Sequence, residues 1–254
     1  IRDSNSPVIM EPIFAIDMHV RALPTARLGA MADIMRATHL DQAILASLCR
    51  ENDMYHVRQR CAILVSRMAL TMPPPKFHDM VRATTRWPDL CRSLISTSVM
   101  LTHARSRKLV ALGLAHILRH ASAEDTGLLS AVPDMIGLWT EVLGEVVEDE
   151  AGSADRYERE MSPTRALEIG EDGIPFLDEF GLIETASTPS SARTDAVRKR
   201  DPAFTVPLRA YVADTLNTVL QDGSHKTELQ SLLATIDPLV LDTLQRGLSE
   251  RPAA

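Results

Sequence analysis

Two histidines, His116 and His120, lie four residues apart, a spacing that turns both rings to one side of a helix. Imidazoles placed this way bind zinc when further ligands converge on them, and Glu124 has the type and position of a third. The hydrolytic form of such a motif needs a glutamate between the histidines to activate a metal-bound water. Here the intervening residues are Ile117, Leu118 and Arg119. Surface or interface histidines are the expectation, with a helical metalloenzyme as a distant third reading. Cys49, His56 and Cys61 lack the short cysteine spacing of a structural zinc site, and Cys61 falls on an apolar helical face, as a core residue does. Three cysteines, Cys49, Cys61 and Cys91, do not make a secreted disulfide framework. The sequence contains no nucleophile elbow, phosphate-binding glycine loop or dinucleotide fingerprint. The expectation is a chain with no metal, no cofactor and no enzymatic activity.

The most suggestive charged feature is acidic. Glu141, Glu145, Glu148 and Asp149 recur at intervals of three or four, followed by Glu150, so that one helical face gathers carboxylates. Such a face attracts a basic protein and speeds its encounter. The bland reading is a solvated helix end running into an acidic loop. From Glu141 to Glu184 there are fourteen Asp and Glu against three Arg, a net of -11. The whole chain carries a formal charge of -7. Such a balance argues against direct nucleic-acid binding unless the basic residues are concentrated, and Arg198, Lys199 and Arg200 are too few for that. No apolar run reaches the length of a membrane helix.

The elements that would position these residues are helical. Aromatic residues are 4% of the chain, so its apolar surface comes mainly from Leu, Ala, Val, Ile and Met, the composition of helices packed on helices. Residues 1–25, with Pro7, Pro12 and Pro24, read as an irregular edge: loop or broken helix. Residues 26–149 read as successive amphipathic helices. These run over Ala26–Arg36, from a Thr38/Asp41 capping box through Leu48, over Met54–Leu70 until Pro73, Pro74 and Pro75, around Phe77–Arg82, over Asp89–Leu101, over Ala104–His120, and over Leu128–Val147. Pro88 fits a first-turn position, and the last of these helices is expected to be interrupted or bent near Pro133 and Gly137. Gly113, in the clearest apolar stripe, would let a neighbouring helix come close. Residues 150–200 read as an acidic and then Ser/Thr-rich linker or insertion, with one apolar patch at Phe176, Leu177, Phe180, Leu182 and Ile183. Helices return over 201–254, with Gly223 and Ser224 as a stop and a start, and Asp237–Pro238 as a strong N-terminal signal. A bundle and an α-solenoid both satisfy this pattern, and no crisp internal repeat chooses between them.

The stretches "DPAFTVPLRAYVADTLNTVLQ" (Asp201 to Gln221) and "LLATIDPLVLDTLQRGL" (Leu232 to Leu248) resemble the end of nuclear transport receptors of the importin-β superfamily, importin-11-like receptors most of all. "ARSRKLVALGLAHIL" (Ala104 to Leu118) and the acidic "EVLGEVVEDEAG" (Glu141 to Gly152) are similar to further segments of the same receptors, in the same order. The resemblance implies an all-α superhelix of HEAT repeats, of which this chain would be a C-terminal part capping the solenoid. It also implies a monomeric receptor that shuttles between cytoplasm and nucleus, binding protein cargo, Ran-GTP and nucleoporins. The family's main Ran-binding surface lies in N-terminal repeats, so no Ran-binding residue is assigned here. The candidate cargo surface is the acidic face of Glu141, Glu145, Glu148, Asp149 and Glu150. A helical scaffold or regulatory subunit without a transport role is the alternative.

Overall fold

The computed structural model describes residues 6–50, 54–122, 124–125, 127–152, 201–221 and 226–249. Every regular element among them is helical. In chain order these are α1 (Ser6–Ala22), α2 (Thr25–Ala37), α3 (Leu40–Cys49), α4 (Tyr55–Thr71), α5 (Pro74–Thr84), α6 (Trp87–Ser98), α7 (Ala104–Arg119), a 3-10 turn (Leu129–Ala131), α8 (Val132–Gly152), α9 (Pro202–Thr205), α10 (Leu208–Gln221), α11 (Lys226–Leu233) and α12 (Pro238–Ser249). The linker expected over 150–200 falls outside the described residues from 153 onward, as do its apolar patch, the basic run at 198–200, and Gly223 and Ser224.

Two rows of helices share one core. In one row α1 packs on α4, α4 on α7, and α7 on α10. In the other, α3 packs on α6, α6 on α8, and α8 on α12. The rows meet where α3 and α6 lie on α4 and where α6 and α8 lie on α7. This is a solenoid-like, all-α packing. The middle helices have neighbours on most sides, and their sequences show it. In α4 nine consecutive residues, Cys61 to Ala69, are buried, and in α7 so are Leu109 to Leu118 except His116. A helix apolar all round belongs in the interior. Each fully buried Leu or Val there contributes about 1.5–3 kcal/mol. Cys61 lies in this core, as its place on an apolar face implied.

The closest approach is at Gly113. A Cβ there would lie 2.9 Å from both Cα and Cβ of Ser66 on α4. The glycine lets the backbones of α4 and α7 touch. Trp139 ties α8 to the same helix by donating to the carbonyl of Ala111 at 3.0 Å.

Several boundaries differ from the sequence reading for identifiable reasons. Residues 6–22 form a continuous helix with Pro12 inside it, where an irregular edge was expected. Burial of Ile13 and Val20 and an ion pair from Asp17 to Arg67 of α4 offset the lost backbone bond. The Thr38/Asp41 capping box does not form. Thr38 donates back to the carbonyls of Ile34 and Met35, Asp41 accepts from the Gln42 amide, and His39 takes the left-handed conformation (φ 57°) at the N-cap of α3. Pro73 caps α5, whose first turn holds Pro74 and Pro75, so the triple proline ends one helix and starts the next. Pro88 sits in the first turn of α6, as expected. The helix expected over Leu128–Val147 is divided just before Pro133, where the 3-10 turn Leu129–Ala131 gives way to α8 with Pro133 in its first turn, whereas Gly137 lies within the continuous length of α8. At Asp237 the expected cap is made: its carboxylate accepts from the Leu239 amide at 2.8 Å.

Candidate functional site

Two buried polar clusters hold the helices in register. The first joins α1, α4 and the N-cap of α9. Arg67, with no accessible surface, donates from one guanidinium nitrogen to Asp17 and from the other to Asp201 at 3.0 Å. Arg21 pairs with Asp17 across one helical turn at 2.7 Å and lies 3.9 Å from Asp201. The second Asp201 oxygen accepts from the Ala203 amide at 3.0 Å, so one carboxylate both caps α9 and pins it to the core. Burial, and then the neighbouring Arg67, lower the pKa of Arg21, against the pull of Asp17 and Asp201. The Arg67 Nε is buried with no hydrogen-bond partner. An unmade buried donor costs about 1–3 kcal/mol.

The second cluster centres on Asp125, whose side chain is fully buried between α7 and α8 in sequence. Its Oδ1 accepts from Arg82 Nε and from Trp87 Nε1, both at 2.8 Å. Its Oδ2 lies 3.0 Å from His78 Nδ1 and accepts from the Ser122 amide at 2.8 Å and the Ser122 hydroxyl at 3.0 Å. Burial alone would raise this carboxyl's pKa. The bond from Arg82, with those from Ser122 and His78, overrules it and holds the group well below the usual carboxylate range. The cluster fastens α5 and α6 to the loop after α7. Glu124, which has the residue type of a third metal ligand, accepts from Arg82 at 2.8 Å.

His116 and His120 do share one face of α7, with ring centroids 4.5 Å apart. His116 Nδ1 is hydrogen-bonded to the Tyr211 hydroxyl on α10, and its ring stacks on that of Tyr211. Burial first, and then the charges of His120, His78 and Arg119, lower the His116 pKa to about 4, which keeps the ring neutral. His120 is lowered for related reasons, burial foremost, then Arg119 and His78. Arg119 completes the contact by pairing with Asp214 of α10 and lying over the Tyr211 ring. His116 seals α7 against α10, and His120 lies exposed beside it. Among the described residues no group of three or more His, Cys, Asp or Glu is placed to hold a metal.

The acidic face lies on α8. Glu141 and Glu145 are adjacent, and both accept from Arg107 of α7, Glu141 at 2.8 Å. Glu141 remains 62% exposed while Arg107 is 14% exposed, so one half-buried cation holds both carboxylates at the surface. Glu148, Asp149 and Glu150 continue α8 through its last turns, and their side chains lie outside the described residues. Sequence spacing put Glu141 and Glu145 together on one helix but did not reveal their counter-ion, because Arg107 comes from another helix. It also missed both buried clusters. The only local signal for them was the Asp17/Arg21 pair, four residues apart, and an arginine at position 67 amid apolar residues.

No helix among the described residues is long and apolar enough to cross a membrane. Comparison with curated proteins and with solved structures returned no match. Comparison with protein families returned one described as Importin-11-like, TPR repeats, matching residues 5–249. That match spans nearly the whole chain, takes in both rows of helices and both polar clusters, and agrees with the helix-on-helix packing of the described residues: the chain belongs to the Importin-11-like family of helical repeats.

Proposed function

We propose that this chain forms part of a nuclear transport receptor that binds protein cargo, with the acidic face of α8 as its cargo contact. The observation that carries the reading is the family match over residues 5–249. The local support is electrostatic. Glu141 and Glu145 are held on the surface by Arg107, and Glu148, Asp149 and Glu150 follow on the same helix. Presenting carboxylates in a fixed array lowers the ordering cost of binding a Lys- and Arg-rich protein. Cargo release is driven by Ran-GTP acting on repeats upstream, and nucleoporin contacts carry the monomeric receptor between cytoplasm and nucleus. No cofactor takes part, and no direct nucleic-acid contact or membrane insertion is involved.

We read the helix pairs as HEAT-like repeats; the alternate helix starts Ser6, Leu40, Pro74 and Ala104 lie 34, 34 and 30 residues apart, a period that a TPR module of about 34 residues fits equally.

The test replaces Glu141, Glu145, Glu148 and Asp149 by lysine and measures binding of a basic test protein at low and high salt. Affinity should fall and lose most of its salt dependence. Unchanged affinity at both salts removes the acidic face from cargo binding. Adding Ran-GTP to the chain joined to its upstream repeats should release the bound protein. Binding that ignores Ran-GTP favours a helical scaffold or regulatory subunit.

A further inference from the structure

A cleft of about 460 Å3 opens where the end of α1, the start of α2, the end of α4 and α9 meet, a volume in the range of ligand pockets. Val20, Leu28 and Pro202 give it a buried apolar wall, Pro24 stands exposed beside them, and Thr71 of α4 contributes a half-buried hydroxyl. We propose that this cleft seats the indole of a tryptophan presented by a partner protein.

The wall offers no net charge. Arg21 and Arg67 are paired with Asp17 and Asp201, two cations with two carboxylates, and the side chains of both arginines and of Asp201 are only 1% exposed. A charged group entering here would lose its hydration without gaining a partner. The prolines offer no free backbone group either: they have no N–H, and the carbonyls of Pro24 and Pro202 accept from the Arg27 and Val206 amides. What remains is the Thr71 hydroxyl. It donates its proton to the Arg67 carbonyl at 2.8 Å, which leaves its oxygen as an acceptor. The complementary side chain is therefore uncharged, carries a donor and no acceptor, and has a large apolar body. Asn, Gln, Ser, Tyr and neutral His carry acceptors that would go unpaired, Lys and Arg carry charge, and Leu or Phe would leave the hydroxyl oxygen desolvated. Tryptophan alone meets all three conditions, and aromatic anchors seated in pockets carry much of the binding energy of protein interfaces. This site lies on α1, α2, α4 and α9, apart from the acidic face of α8, and does not rest on the transport reading.

The test is an NMR titration of the intact chain, read at the backbone amides of Leu28 and Thr71. The probes are N-acetyl-tryptophan amide, the same compound methylated on its indole nitrogen, and N-acetyl-phenylalanine amide. The tryptophan amide should shift both resonances saturably, with the other two at least about threefold weaker, the effect of one net hydrogen bond. Thr71→Val keeps the shape of the side chain and removes the acceptor. It should bring the tryptophan amide and its methylated form to equal affinity while the circular dichroism stays unchanged. No saturable response, equal binding of phenylalanine amide or of the methylated indole by the unaltered chain, or a preference for the free indole that survives in Thr71→Val would each overturn the proposal. The comparison of probes on the unaltered chain decides the matter even where the variant fails to fold.

Discussion

Replacing Gly113 by alanine adds a methyl group 2.9 Å from the Cα and Cβ of Ser66 and 3.2 Å from its carbonyl oxygen. Carbon atoms rest at about 3.5–4.0 Å, so α4 and α7 must part by roughly 0.6 Å or more along their closest line. The obstacle is backbone, which cannot swing aside as a side-chain tip does. Overpacking of this kind costs about 1–3 kcal/mol. The same change gains about 1 kcal/mol of helix propensity. Gly113 has ordinary right-handed φ, so no conformational strain enters. The net expectation is a loss of about 1 kcal/mol. Gly137 supplies the control: it too lies inside a helix, and nothing stands within 4 Å of its added Cβ. Gly137→Ala should therefore gain about 0.5–1 kcal/mol. Urea unfolding followed by circular dichroism reads the difference. With a slope of about 3 kcal/mol/M, the two midpoints should separate by roughly 0.6 M. If Gly113→Ala raises the midpoint as much as Gly137→Ala does, the close helix contact is not what selects glycine there.

The Asp125 carboxylate is preferred in the folded state, so its contribution is present above its unfolded pKa of about 4 and is lost as pH falls through its lower folded value. Asp125→Ala should cost about 3–5 kcal/mol at neutral pH, by leaving Arg82, Trp87 and His78 without their acceptor; a loss under about 1 kcal/mol would show that the cluster is not a buried hub. His116 shares this preference for the deprotonated form, which for an imidazole is the neutral one: with a folded pKa of about 4, its contribution is full above the unfolded value of about 6.5 and declines as pH drops toward 4. His116→Gln should flatten that part of the stability–pH curve, and an imidazole NMR titration with a midpoint near 6.5 would contradict the burial argument. Asp237→Ala removes the cap bond to Leu239 and should destabilise α12 by about 0.5–2 kcal/mol. Faster hydrogen exchange confined to the amides of Val240 to Leu244 is the expected readout, and unchanged exchange would deny the cap its role.

The sequence was most legible where one local rule governs. Asp237–Pro238 and Pro88 mark helix starts because a cap oxygen and a donor-less residue solve the same end problem in any context. The apolar stripe of α7 and the glycine within it announced both the helix and its close neighbour. The same rules misled where tertiary contacts outweighed them. Pro12 sits inside α1 because that helix gains burial and the Asp17–Arg67 pair. Thr38 turns back onto its own helix and leaves the capping box unmade.

Periodicity by itself determined that the chain is a succession of helices with apolar flanks, since side-chain spacing along a helix is a local property. Which helix lies on which was decided only in three dimensions. Arg107 under Glu141 and Glu145, Tyr211 against His116, and Asp201 on Arg67 join residues 34 to 134 positions apart. Charges and hydrogen bonds act through space, and sequence spacing carries no record of partners that folding brings together from distant helices.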